Sequence, residues 1–327
     1  MASTEHTSTT FTPERTFRSY DQSQGIAYSR LRPNYHPNLY KTIIDHHLFT
    51  GGELTTILDV GCGPGNAVRD LAPHFIHAIG LDPSEGMIST ARSLGGVSSN
   101  GQAIRFEMST AEDLGSQSVP PIPNSSVDLI VAATAAHWFD MPRFWRRAAE
   151  ILKPGGTVAL WAVRGGYPHP SMPNHAAIQA SMLEIEDRYL KPYMDHGTLL
   201  AKGLYTDLGL PWSISEPVVG FERETFYRKD WNRDVPCTEG DEFFAGQSDP
   251  RYLSVVLRAT EKMLGTRGTV IRWREAHPDL AGTESDVARI MCKEIERLLH
   301  EAGVEQGDEI VKMGVDGVLL MVKRDHE

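Results

Sequence analysis

Between about residues 41 and 164, short apolar runs alternate with stretches of helical periodicity, and this rhythm leaves the chain few folds to choose from. Thr56–Val60 reads as a first strand and about Asn66–Ala72 as the helix after it. His77–Leu81 reads as a second strand ending at Asp82, and Ser84 is placed to cap a helix with Met87, Ile88 and Ala91 on one face. Ala103–Met108 supplies a third strand. Asp128–Ala132 has the apolar core expected of a strand with helices on both faces. Asp140 caps a further helix, with Pro142 in its first turn and Phe144, Ala148, Ile151 and Leu152 along one stripe. Lys153-Pro154-Gly155-Gly156 stops it, and Thr157–Trp161 forms the next strand. Five such alternations predict an α/β fold built on a doubly wound, mostly parallel sheet.

The flanks differ. Residues 1–15 are polar and Ser/Thr-rich, lack the apolar middle of a secretion signal, and read as a disordered lead-in. Residues 16–164 then comprise N-terminal helices and the sheet core. Residues 165–305 become mainly helical, with stripes at Ile178, Met182, Ile185, Tyr189 and from Val287 to Leu299, and a strand near 217–227. We read this region as a lid built into the sheet domain. Residues 306–327 supply C-terminal strands that complete the sheet, and Glu309–Val322 reads as a hairpin or a long edge strand.

Composition narrows the function. With 40% hydrophobic and 23% charged residues, whole-chain disorder is excluded. Thirty-two basic against forty-three acidic residues give a net charge of −11, which opposes non-specific binding to nucleic acid or an anionic membrane. No apolar run approaches the roughly 18 residues of a membrane span. Three cysteines (Cys62, Cys237, Cys292) without CxxC spacing suit neither a disulfide framework nor a zinc site. The thirteen histidines show no metal spacing, so no metal is expected, and the compartment expected is the cytoplasm.

The glycine turn is the chemical signal. Gly61-Cys62-Gly63-Pro64-Gly65 lies where the first strand meets its helix, the place where open α/β sheets bind nucleotides. Asp82 ends the second strand twenty-one residues after Gly61, where a carboxylate can accept from both ribose hydroxyls. The dinucleotide pattern GxGxxG is broken by Asn66, and the phosphate-binding GxxxxGK[ST] is absent. A ligand with no phosphate to seat on the helix fits better, and S-adenosylmethionine (SAM) is one.

Residues 56–161 resemble the class I SAM-dependent methyltransferases. Leu58 to Gly65 is similar to their first motif, Gly80-Leu81-Asp82-Pro83-Ser84 to the second, and Ala111-Glu112-Asp113-Leu114 to the adenine-reaching segment. Asp128-Leu129-Ile130-Val131 and Leu152-Lys153-Pro154-Gly155-Gly156 are similar to the fourth and fifth. The resemblance implies a Rossmann-like sheet with SAM as cofactor. It also implies roles: Gly61, Gly63 and Gly65 under the methionine portion, Asp59 facing its amino group, Asp82 on the ribose, Met87 on the adenine, Thr110 and Ala111 at the adenine edge, and Ala133 beside the sulfonium.

A narrower resemblance extends further. The segment Tyr28 to Pro37, His137-Trp138-Phe139-Asp140, and Trp273 to Pro278 are similar to segments of the fungal-type trans-aconitate methyltransferases and their relatives. That implies a small-molecule acceptor, methylated on a carboxylate or hydroxyl oxygen of an organic acid or secondary metabolite. Transfer from a sulfonium needs the acceptor held in line, about 3 to 3.5 Å from the methyl carbon, with water excluded. A carboxylate needs no base, whereas a phenol or alcohol does. His137 is the candidate, either as that base or as pocket wall. Tyr28, Arg32, Trp138, Trp161, Arg272 and Arg274 are the candidate acceptor-binding residues, the arginines because a fork of donors suits a carboxylate. The alternatives are a nicotinamide oxidoreductase on the same sheet and a SAM-binding protein without catalysis. Oligomeric state is not legible.

Overall fold

The computed structural model describes residues 14–32, 34–164, 167–231, 254–314 and 316–326. The lead-in up to residue 13, and Cys237, lie outside them. Two helices, α1 (Gln22–Leu31) and α2 (Pro37–Phe49), precede β1 (Thr56–Val60), α3 (Asn66–Leu71), β2 (His77–Asp82), α4 (Glu85–Leu94) and β3 (Arg105–Met108). There follow β4 (Val127–Ala133), α5 (Met141–Ile151), β5 (Leu152–Val163), β6 (Tyr167–Pro168), α6 (His175–Ile185), α7 (His196–Lys202) and β7 (Phe221–Trp231). The chain closes with β8 (Ser254–Val256), α8 (Leu257–Leu264), α9 (Gly268–Ala276), α10 (Val287–Glu301), β9 (Ile310–Gly314) and β10 (Gly317–Arg324).

Seven strands form one sheet in the order β3-β2-β1-β4-β5-β10-β7. The first five are parallel, and β10 runs antiparallel to both neighbours. Because side chains alternate along a strand, the sheet sorts its apolar residues onto two faces. Leu58, Ile130, Val158 and Leu320 pack on one face against Phe144, Trp145, Ala148 and Ile151 of α5. Ile57, Leu129, Ala159 and Met321 pack on the other against Leu39 and Ile43 of α2, Val68 of α3 and Ile88 of α4. The result is a three-layer α/β architecture. Strand order reverses between β1 and β4, so loops leaving their carboxyl ends diverge and open a crevice.

The capping chemistry is as expected. Ser84 Oγ accepts from the Met87 amide at the start of α4, and Asp140 Oδ1 from the Arg143 amide at the start of α5. Leu152 departs from expectation: it opens β5 instead of closing α5. A register shift between the Val127–Leu152 and Leu129–Thr157 pairs absorbs Lys153 to Gly156. The strand-like 217–227 region is β7, which lies at the end of the seven-stranded sheet and not among the helices. Glu309–Val322 is neither one hairpin nor an edge strand. Its first part, β9, pairs with β6 and β8 in a small antiparallel sheet, and its second, β10, is inserted between β5 and β7. The helices of 165–305 carry apolar clusters of their own, one around Trp273, Val287 and Met291 and one around Ile178, Met182 and Leu298. Among the described residues no helix is long and apolar enough to cross a membrane.

Candidate functional site

The β1–α3 turn gives the site its floor. Gly61, Gly63 and Gly65 have φ of +66°, +54° and +86°, which side-chain-bearing residues seldom adopt. A Cβ on Gly61 would lie 2.7 Å from Cβ of Ala135, whereas one on Gly63 would meet nothing within 4 Å. One glycine is therefore needed for packing beneath the turn, and another faces open space. Asn66, where a dinucleotide site has glycine, is used elsewhere: its amide donates to Asn34 and its oxygen accepts from Arg69, fastening the turn to the segment before α2.

Two carboxylates flank this turn. Asp82 is buried at the end of β2, where Oδ2 accepts from the Gly63 amide at 2.9 Å and Oδ1 from the Ser84 amide at 2.8 Å. Each oxygen has a second lone pair left for a hydroxyl donor. Burial pushes its pKa up to about 6, opposed by those two amides. Asp59 is wholly buried, and neither oxygen has a hydrogen-bond partner. Burial raises its pKa to about 8; the Val68 amide is near enough to favour the charged form, and the Asp82 charge works against it. A buried polar group without a partner costs stability, so such a carboxylate is fitted to a cation that arrives from outside.

The other cofactor candidates surround these two. Met87 is buried in the first turn of α4, and Ala111 is buried beyond β3. Thr110 holds Asp113 through its hydroxyl at 3.0 Å, and its carbonyl accepts from the Leu114 amide at 3.1 Å and the Ser109 hydroxyl at 3.2 Å. Ala133 ends β4 and is followed by Thr134 at φ +53°, whose hydroxyl lies 2.9 Å from that of Tyr35. Tyr35 lies inside the Tyr28 to Pro37 segment, where nothing in the spacing singles it out. It sits within electrostatic reach of Asp59, Tyr28 and Arg32, and Tyr205 within reach of it. It thereby links the carboxyl ends of β1 and β4 to the N-terminal segment.

His137 occupies a short helical turn, Ala136–Trp138, after β4, with Nδ1 3.0 Å from the hydroxyl of Tyr205. Burial drives its pKa down to about 3, with Asp195 acting in the opposite sense, so the ring is neutral at neutral pH. Trp138 stacks obliquely on it at 4.7 Å, and Gly197 of α7 lies against the Trp138 ring. Trp161 is fully buried and meets Tyr35 edge to face at 5.3 Å, forming the wall behind that residue. Tyr28 packs with Phe17 and Tyr20, and the Arg32 guanidinium lies 5.2 Å from its ring centre.

The three arginines are not equivalent. Arg274 makes a two-pronged pair with Asp286 at 2.7 and 3.1 Å, tying α9 to α10. Arg272 is spent on the Tyr193 carbonyl, the Thr198 hydroxyl and the Asp195 carboxylate. Arg32 donates to the Thr266 carbonyl at 3.1 Å but keeps a buried Nε with no partner. One grouping was not foreseen from spacing: Glu296, His300 and Glu309 bring their ligand atoms within 4.8 Å of one another, and His300 pairs with Glu309 at 2.7 Å.

Comparison with known proteins bears on this geometry. Residues 58–160 match the family model described as a methyltransferase domain. Over 134 residues the chain is 34% identical to the "Probable S-adenosylmethionine-dependent methyltransferase CRG1" of Saccharomyces cerevisiae, covering 41% of this chain and 43% of that protein. It is 27% identical over 281 residues to the methyltransferase cfoB of Aspergillus candidus, covering 80% of this chain and 83% of that one. The chain spans less than half the length of the first curated relatives it matches, 46% and 43%. In fold it is similar to the "Putative Type II Methyltransferase" of Anaeromyxobacter dehalogenans, with a TM-score of 0.57 and 19% identity, over 90% of this chain and 98% of that one. The matched span holds the glycine turn, Asp59 and Asp82, and SAM is the cofactor named for the yeast relative. The domain's own residues fit that cofactor: a cradle open above Gly63, a ribose acid with lone pairs to spare, and an unpartnered carboxylate below the turn.

Proposed function

We propose that this chain transfers a methyl group from SAM to a small molecule, onto a carboxylate or hydroxyl oxygen of an organic acid or secondary metabolite. The observation that carries the reading is Asp59, a buried carboxylate under the glycine turn with both oxygens unpartnered. An ammonium group arriving there would favour the charged form of Asp59, whereas a diphosphate would face a second acid with no donor to spare once it ionises, which speaks against a nicotinamide dinucleotide. When bound, SAM supplies a methyl group on an already charged sulfonium leaving group.

The chain's own task is to bind, orient and exclude water. Asp59 would take the amino group, Asp82 the ribose hydroxyls, and Met87, Thr110 and Ala111 the adenine, with Ala133 at the reacting end. Arg32 would hold the acceptor's carboxylate through its uncommitted Nε, with Tyr28, Trp138 and His137 as walls. Helices α6 to α10, within 165–305, would act as a lid over that acceptor. The similarity of the segments around Arg32, His137 and Trp273 to the trans-aconitate group supports a small acid, and the net charge of −11 supports a small-molecule partner over nucleic acid or membrane, in the cytoplasm.

Two measurements test this. SAM or its demethylated product raises the melting temperature, NAD(H) does not, and Asp82→Ala removes the rise; unchanged affinity in that variant would sink the cofactor assignment. Labelled-methyl transfer into a panel of acids, phenols and thiols, followed by mass analysis, identifies the acceptor. A product that is exclusively protein or nucleic acid would overturn the small-molecule reading.

A further inference from the structure

His137 and Tyr205 are both buried and meet at 3.0 Å, Nδ1 to Oη. Either atom could donate across that distance, and the surroundings choose between the two arrangements. The helical turn that carries His137 opens with the backbone amides of Ala136 and His137, which have no acceptor within so short a turn. Both lie in reach of the Tyr205 hydroxyl oxygen. The positive ends of two amide dipoles favour that oxygen as the negative end of the hydroxyl, which turns its proton to Nδ1, the acceptor it meets at 3.0 Å. A neutral imidazole carries a single ring proton, so with Nδ1 accepting, that proton is on Nε2. Nε2 has no hydrogen-bond partner among the described residues, yet it is not among the buried, partnerless atoms as the oxygens of Asp59 are. It is the nitrogen left for a ligand.

We propose that Tyr205 is a positioning residue that locks His137 in its Nε2–H tautomer, so that His137 offers the methyl acceptor a hydrogen bond and does not take its proton. What His137 meets rests on the methyltransferase reading, whereas the tautomer belongs to the free protein. An oxygen acid that arrives ionised can accept from Nε2–H through one oxygen and present the other to the methyl group. A neutral alcohol finds no base in this pair.

The tautomer is read directly by nitrogen NMR of the intact chain labelled with 15N-histidine, with His137 assigned by the signal lost in His137→Gln. The expected result is a protonated Nε2 and an unprotonated Nδ1 at neutral pH, with the Nδ1–H form appearing in Tyr205→Phe. A wild-type protein with the proton on Nδ1, or a Tyr205→Phe variant with an unchanged tautomer, would overturn the proposal. With whichever acid the transfer panel identifies, Tyr205→Phe raises the acceptor KM about tenfold and leaves the SAM KM within about twofold. Equal rises in both would also overturn it. Calorimetric titration with SAM tests the cofactor reading separately: no binding, with the Nε2–H tautomer present, would sink that reading and leave this one standing.

Discussion

Asp59 shows what one side chain can cost a free protein and return on binding. Its pKa of about 8 lies above the ordinary carboxylate value, so the folded chain holds a proton that the unfolded chain releases. Stability attributable to this residue therefore falls as pH rises from about 4 to about 8 and levels off above that. Asp59→Asn keeps the shape and removes the charge. We expect it to stabilise the ligand-free protein at pH 8 by about 1–3 kcal/mol in urea denaturation. The same change should weaken SAM binding about tenfold or more in calorimetry, since a charge-assisted hydrogen bond is lost. A variant that is neither more stable nor weaker in binding would mean that the carboxylate is silent. Much of this was legible: the glycines, Asp59 and Asp82 follow from the order of a strand, a turn and a second strand. Tyr35 and Tyr205 were not legible as a pair, because 170 residues separate them and neither stands in a pattern that repeats.

At the scale of elements, α2 is fastened to the sheet by a chain of polar groups. His47 Nε2 donates to the Glu53 carbonyl at 2.8 Å, so its Nδ1 accepts from the Thr157 hydroxyl at 2.7 Å, and that oxygen in turn accepts from Lys323 at 3.4 Å. Burial lowers the His47 pKa to about 4. The unfolded chain therefore takes up a proton below about pH 6.5 that the folded one refuses until about pH 4. The contribution is complete above that window and lost as pH falls through it, on the order of 3 kcal/mol. Denaturation from pH 7 to 4 should show this slope in the wild type and its loss in His47→Gln. The N-terminal helix depends on a different device. A Cβ on Gly86 would lie 2.1 Å from the carbonyl oxygen of Tyr20, so α4 meets the lead into α1 backbone to backbone. Gly86→Ala should loosen residues 14–20, and trypsin should cut after Arg15 or Arg18 several-fold faster than in the wild type; an unchanged cleavage rate would contradict that docking.

For the whole molecule, the βα rhythm made the parallel half of the sheet readable, since each of those strands is paired with a neighbour near in sequence. The antiparallel half was not, because β7 lies in the middle of the helical region and β10 beyond it, and nothing local announces that β10 lies between β5 and β7. Val318 to Val322 are all buried, as an interior strand requires and an edge strand does not. Leu320→Asp should therefore abolish cooperative unfolding and leave the protein insoluble, a loss of about 4 kcal/mol or more. Native-like circular dichroism and a sharp melt in that variant would show the position to be tolerant. The same placement governs biosynthesis. A nascent chain can assemble β1 to β5 on the ribosome, but the free edge of β5 stays unpaired until residue 324 has left the exit tunnel. For the time it takes to translate some 160 further codons, the growing polypeptide carries an adhesive border, and chaperone demand should be greatest in that interval.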